Sequence, residues 1–254
     1  LVAVSSFLLT GRVALVTGAS QGLGMEIARG LAQAGAHVLV NSRDVERTAA
    51  VASRIAAEGG SAEALPFDVA DAPAANAAFD AIEARFGTLD IFVHNVGMRH
   101  RAPLDQITTA IFDNMLAVDL TAAFTLTKRA GALMVRAGYG RIIFVTSIAG
   151  TLGGRGDAAY IAAKAGLTGL MRAFAAEYGG SGITCNAIAP GPFATESNSA
   201  ISPERLARVQ ARVPSGRRGN PPEIAGPAVF LASEAASYVN AHVLTVDGGY
   251  SVAL

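Results

Sequence analysis

Tyr160 and Lys164 stand four residues apart, so on a helix they share one face, and Ser147 precedes the tyrosine by thirteen positions. A free phenol ionises at about pH 10 and exchanges protons poorly at neutrality. A fixed ammonium close by favours phenolate and brings proton transfer into range. A serine hydroxyl can hold the reacting oxygen. Far upstream, Thr17-Gly18-Ala19-Ser20-Gln21-Gly22-Leu23-Gly24 follows the apolar run 13–16 and opens a helix. Its glycines allow a tight turn and let a phosphate approach the backbone, where the helix offers unpaired N–H groups and the positive end of its dipole. Either feature alone is weak, since Tyr-x-x-x-Lys often arises by chance. Together they point to proton transfer beside a bound dinucleotide.

These residues need a scaffold, and the rest of the chain supplies one. Strand-like runs at 13–16, 37–41, 62–67, 89–94, 141–146, 183–189 and 242–246 alternate with helical stretches at 24–33, 45–57, 74–86, 109–136 and 158–177. A further helical pair lies between Ser202 and Ser233. The strands are almost continuously apolar, as expected when both faces of a parallel sheet are covered. The alternation predicts an α/β fold: one doubly wound, Rossmann-type domain over 1–254, its seven-stranded parallel sheet flanked by helices. Residues 193–213 break the rhythm just after a strand. They read as a mobile lid over substrate or, alternatively, as a surface insertion.

The 254 residues carry 20 Lys and Arg against 20 Asp and Glu, so nothing suggests a nucleic-acid or anionic-membrane partner. Cys185 is the single cysteine, which rules out an internal disulfide and fits a reducing cytoplasm. It reads as a buried, inert thiol in a strand. The first nine residues are mostly apolar but lack the basic start of a secretory signal. No stretch approaches the roughly 18 uninterrupted apolar residues of a membrane span. The expectation is a soluble cytoplasmic protein. No His/Cys/Asp cluster has metal-ligand spacing, so no catalytic metal is expected.

The glycine turn, with Ser147 and the Tyr160/Lys164 pair, resembles the short-chain dehydrogenase/reductase family, whose patterns are TGxxxGxG and Ser…Tyr-x-x-x-Lys. The likeness runs nearly the length of the chain and ends in Val246-Asp247-Gly248-Gly249. It implies that Tyr160 is the general acid or base and that Lys164 tunes it while bonding the nicotinamide ribose. Ser147 would orient the substrate oxygen. The coenzyme would lie on Gly18, Ser20, Gln21, Gly22, Leu23 and Gly24, with Asp68 and Val69 at the adenine. Asn95 and Gly97 would form its floor, and Pro190, Gly191, Phe193 and Thr195 would lie near the carboxamide. The family's fourth catalytic residue is an asparagine; here Asp119 stands in that place, adding negative charge near Lys164. His94 stands where the family usually has another asparagine, and reads as a packed, hydrogen-bonded side chain rather than a catalyst.

Coenzyme choice is read at the end of the second strand, where NAD enzymes place an aspartate. Ser42 and Arg43 stand there instead and can bond a 2′-phosphate, so NADP is expected over NAD; the alternative, Arg43 merely stacking on adenine, would tolerate NAD. After the fourth strand, Arg99, His100 and Arg101 form either a solvated loop or a site for a substrate carboxylate. Resemblance to the gluconate 5-dehydrogenase branch favours the carboxylate, bound by Arg99 and Arg101 while Ser147 and Tyr160 meet the reacting carbon's oxygen. Two other functions stay open. One is a 3-oxoacyl-carrier-protein reductase, with Arg217 and Arg218 as a docking patch; the other is a dinucleotide-binding paralogue without catalysis. The segment 161–176 is apolar around most of its girth, and in the family such a helix builds a two-fold interface, so a homotetramer is expected.

Overall fold

Seven strands lie in the order β3-β2-β1-β4-β5-β6-β7, every neighbouring pair parallel. They are β1 (Val13–Val16), β2 (His37–Val40), β3 (Ser61–Ala64), β4 (Ile91–His94), β5 (Gly140–Val145), β6 (Ile183–Pro190) and β7 (Val243–Val246). The computed structural model describes residues 4–196 and 201–253. Within each central strand, successive side chains face opposite layers. Ala14 and Val16 enter one apolar cluster and Leu15 the other; Ile91 and Val93 oppose Phe92; Ile143 and Val145 oppose Ile142 and Phe144. This is the single α/β domain expected from the sequence.

Helices α1 (Gly22–Gln33), α2 (Val45–Ala57) and α9 (Ala225–Ala232) cover one face. The other face carries α3 (Ala72–Phe86), α5 (Ala122–Ala137) and α7 (Ala158–Tyr178). Local sequence sets their ends. Asp44 caps α2 by accepting from the Arg47 N–H at 3.0 Å, and Asp71 caps α3 through the Ala74 N–H at 3.0 Å. Gly87 and Gly138 stop α3 and α5 in the left-handed conformation. Strand β3 ends sooner than the apolar run suggested. Leu65 N still donates to Val40 O at 2.8 Å, but Pro66 has no N–H with which to continue the ladder.

The long helical stretch expected at 109–136 is three pieces. α4 (Thr109–Leu116) leads into a π turn over Ala117–Thr121, and α5 follows. Together they make a helix long and apolar enough by length and mean hydropathy to cross a membrane, although Asp113, Asp119, Lys128 and Arg129 interrupt its apolar residues. Its Ala122, Ala123, Leu126, Ala130, Leu133 and Met134 are buried in the core under the sheet, so it serves as a core helix.

The predicted lid divides. Phe193 bridges to Gly219, α8 occupies Pro203–Arg212, and 197–200 lie outside the described residues. A short α6 (Ala149–Leu152) connects β5 to the α7 region. The strand order reverses direction between β1 and β4, which puts the crevice of such a sheet at the carboxyl ends of these strands.

Candidate active site

Lys164 anchors the site. It is almost fully buried on α7, and its Nζ donates to Val96 O and Val145 O, both at 3.2 Å. The lysine therefore ties α7 to the ends of β4 and β5. Gly97 makes room for it: a Cβ there would come within 2.9 Å of Lys164 Nζ. One turn earlier lies Tyr160, half-buried, with Lys164 Nζ 5.7 Å from its ring centre. Ser147 follows β5, and its Oγ accepts from the Ala149 N–H at 3.1 Å. The turn after it packs tightly on α7, because a Cβ on Gly150 would meet the Ala165 nitrogen at 2.9 Å. Strand β5, α6 and α7 thus bring Ser147, Tyr160 and Lys164 into one neighbourhood.

Asp119 lies in the π turn with its side chain fully buried. Its Oδ1 accepts from the Met98 N–H at 2.7 Å, and its Oδ2 is 3.9 Å from Lys164 Nζ with no hydrogen-bond partner of its own. Burial pushes this carboxyl above the usual carboxylate range, against the pull of Lys164 and the Met98 N–H. His94, at the end of β4, is completely enclosed between Phe92 and Phe144. The expected hydrogen bonds are absent, since neither ring nitrogen has a partner. Burial above all, then the Lys164 charge, drives its pKa down to about 3, while the Asp119 backbone opposes the shift without making a bond of ordinary geometry. His94 is therefore a neutral packing residue, as its position in the strand suggested.

The loop after β4 carries the two arginines. Arg99 Nε and Nη2 donate to the two Asp157 oxygens at 2.9 and 2.6 Å, and Arg101 Nε and Nη2 both donate to Asp157 Oδ2 at 3.1 and 2.6 Å. The carboxylate held by both arginines in the fold is thus the chain's own. Burial raises the Asp157 carboxyl, but the two guanidinium groups more than offset this and leave it at about 2. Two cations share one anion, so the knot keeps a net positive charge beside Tyr160. His100 is not part of it; with Met98 it lines a cleft against Ile111, Asn114 and Met115 of α4.

At the glycine turn, Gly18 and Gly22 take positive φ angles that favour glycine. Gln21 precedes α1 in an extended conformation and makes no side-chain cap, so the first helical N–H groups remain for a phosphate. Ser20 and Leu23 are half-buried on this turn, and the Thr195 methyl lies near Gly22. Gly24 is needed for close approach, since a Cβ there would come within 2.3 Å of Asn95 Nδ2. Arg43 lies mostly in solvent with Nη1 3.6 Å from Asp68 Oδ2, and Ser42 Oγ is 2.6 Å from Thr48 Oγ1. Arg47 Nη1 donates to Gln21 Oε1 at 3.1 Å, placing a second cation next to the turn. An anionic dinucleotide fits this set.

Residues 18–251 match the family model described as enoyl-(acyl carrier protein) reductase. The gluconate 5-dehydrogenase of Gluconobacter oxydans is 38% identical over 250 residues, which cover 98% of each protein. The chain belongs to the short-chain dehydrogenase/reductase family. It is an NAD(P)-dependent oxidoreductase of that kind. The 3-oxoacyl-[acyl-carrier-protein] reductase of Escherichia coli is 37% identical over 239 residues, 94% of this chain and 97% of the relative. A gluconate 5-dehydrogenase from Burkholderia cenocepacia, solved with NADP and tartrate, superposes with a TM-score of 0.94 at 38% identity. That match covers 98% of this chain and 99% of the other.

Several of the positions expected at the coenzyme also have tasks within the fold. The Asn95 amide donates to Thr17 O at 3.2 Å and Gly18 O at 2.9 Å, so its side chain braces the glycine turn from beneath. Gly191 serves the fold, because a Cβ there would meet the Asp247 Cβ at 2.4 Å. Pro190 is buried at the end of β6, and the Phe193 ring packs on Gly219. Val69 is a core residue, while Asp68 Oδ1 accepts from the Ala70 N–H at 2.9 Å. Asp157 and Arg47 went unnoticed in the sequence. For Arg47 there was a signal: it lies in the first turn of the helix that starts just after the Ser42-Arg43 pair.

Proposed function

We propose that the protein is an NADP-dependent oxidoreductase that interconverts a secondary alcohol and a ketone on a sugar acid of the gluconate/5-ketogluconate type. The observation that carries this reading is the knot of Arg99 and Arg101 on the single carboxylate of Asp157, next to Tyr160. Its surplus positive charge favours an anionic substrate. Arg101 uses Nε and Nη2 on Asp157, which leaves Nη1 for a second carboxylate. The tartrate held by the Burkholderia relative is itself a hydroxy acid. NADP is supported by Ser42, Arg43 and Arg47, where a carboxylate would repel a 2′-phosphate.

Within this reading, Tyr160 moves the proton of the substrate oxygen, Ser147 holds that oxygen, and Lys164 keeps a positive charge beside the phenol. Bound nicotinamide supplies the hydride chemistry; the protein supplies placement and charge. Asp119 holds the loop after β4 through Met98 and balances Lys164 from the side away from bulk water.

A carrier-protein reductase is the less favoured reading. Its docking patch would need Arg217, whose Nη1 and Nη2 both donate to Glu223 at 2.7 Å. We further propose a homotetramer in a reducing cytoplasm. Phe124 and Val135 of α5 and Leu152 of α6 are exposed, as is Ala165 of α7, and a second copy would cover them. The reaction is tested by following NADPH absorbance with 5-ketogluconate, with an uncharged keto sugar and with an acetoacetyl thioester. Preference for the keto acid supports the proposal; turnover of the thioester alone replaces it with the carrier-protein reading.

A further inference from the structure

The arginine nearest the proton-transfer residue is fixed in place by the fold. The fork of hydrogen bonds to Asp157 leaves the Arg99 guanidinium little freedom to swing away. Its central carbon faces the Tyr160 ring at 4.8 Å from the centroid, closer than the Lys164 ammonium at 5.7 Å. Tyr160 is thus flanked by cations from two elements, its own helix and the loop after β4. An aromatic face attracts a cation, and the attraction grows when the phenol loses its proton, because the new negative charge spreads into the ring.

We propose that Arg99 is a positioning residue for proton transfer: clamped by Asp157, its guanidinium fixes the plane of the Tyr160 ring and favours phenolate over phenol. The inference rests on the reading of Tyr160 as the proton-transfer group. Lys164 lies on α7 and Asp157 just before it; Arg99 and Arg101 come from the loop after β4. Asp119, on the π turn, acts through Lys164, and the Ser147 hydroxyl after β5 is neutral. Asp157 offsets only one of the two guanidinium charges, so the sum facing the phenol is positive. The bond to Asp157 above all, and Tyr160 to a lesser degree, hold Arg99 in its charged form against burial.

This gives Arg99 a role different from that of Arg101. Arg101 offers a nitrogen to an incoming anion, whereas Arg99 acts on the enzyme's own tyrosine. The distinction is readable in a titration that needs no substrate. Tyrosinate absorbance is followed against pH in the NADP-loaded enzyme, and the curve of the matching Tyr160→Phe variant is subtracted to isolate one phenol. Arg99→Gln is expected to move the midpoint of that difference curve upward by about one pH unit. Arg99→Lys, which keeps the charge, is expected to stay within roughly a third of a unit of the parent. If Arg99→Gln does not fold, Arg99→Met retains the apolar stem and carries the same expectation. A midpoint unmoved by Gln or Met overturns the proposal. So does an equal displacement by Lys and Gln, because placement of the loop rather than its charge would then be responsible. The premise is tested apart from this: if Tyr160→Phe keeps near-normal turnover in the NADPH assay instead of losing ~10²–10⁴-fold, Tyr160 does not transfer the proton and the proposal falls with it.

Discussion

His94→Asn places at the end of β4 the residue that the resembling family carries there, and removes a buried titratable ring. In the folded protein this ring stays neutral down to about pH 3, whereas in the unfolded chain it takes up a proton at about pH 6.5. Between those two values only the unfolded state binds the proton. Stability is therefore complete above about pH 6.5 and falls by about 1.4 kcal/mol for each unit of acidification towards pH 3. From about pH 7 to about pH 5 the parent should lose about 2 kcal/mol through this one group. The Asn variant has no such linkage. Urea unfolding at the two pH values, at a fixed protein concentration, measures the difference. A constant offset from the smaller side chain cancels, since each protein is compared with itself. The expected result is a pH-dependent loss about 2 kcal/mol smaller in the variant. Equal losses in the two proteins would refute the argument, because His94 would then be protonated within the fold or solvated in a way its enclosure denies.

Ser42→Asp combined with Arg43→Ala should reverse coenzyme preference, measured as kcat/KM for NADPH against NADH. Loss of a charge-assisted bond to the 2′-phosphate costs roughly 1.5–3 kcal/mol, or about 10- to 150-fold, and adding Arg47→Ala should deepen it. Unchanged preference would remove these residues from the coenzyme site. Arg101→Ala should raise KM for gluconate far more than for an uncharged polyol, with kcat changing less, since the contact exists in ground and transition states alike. An equal rise for both substrates would leave Arg101 as a structural partner of Asp157. Asp119→Asn keeps an oxygen for the Met98 N–H and should hold turnover within about tenfold of the parent. A collapse would show that the carboxylate itself is essential beside Lys164.

The seven-stranded parallel sheet and its flanking helices were readable because near-continuous apolar runs alternate with helical stretches. The strand order was not readable, and the helix caps Asp44 and Asp71 and the stop at Gly87 emerge in the fold. The π turn was not readable, since Ala117-Val118-Asp119-Leu120-Thr121 contains no glycine or proline and continues a helical pattern. The Asp157 knot was equally hidden. Its partners lie 58 and 56 residues away, and only the packing of the β4 loop on the start of α7 brings them together. The roles of Asn95 and Gly97 were expected to concern the coenzyme. The fold gives both an internal task, because hydrogen bonds and close approaches depend on neighbours that one-dimensional spacing does not reveal.

The π turn has a consequence for how the site can change. It accommodates one residue more than a regular α-helical path of the same rise, and each residue of an α-helix advances the chain by about 100° around the axis. Because the extra residue is taken up in the bulge, α4 and α5 stay in phase across it, and deleting one residue within 117–121 would let the stretch close as an ordinary α-helix without turning either flank. What would change is the bulge itself, which carries Asp119 to the Met98 N–H and to the side of Lys164. The turn thus works as slack in an otherwise taut helix. Losing one residue there would withdraw a carboxylate from the site and leave the strands that carry Ser147 and the glycine turn where they are.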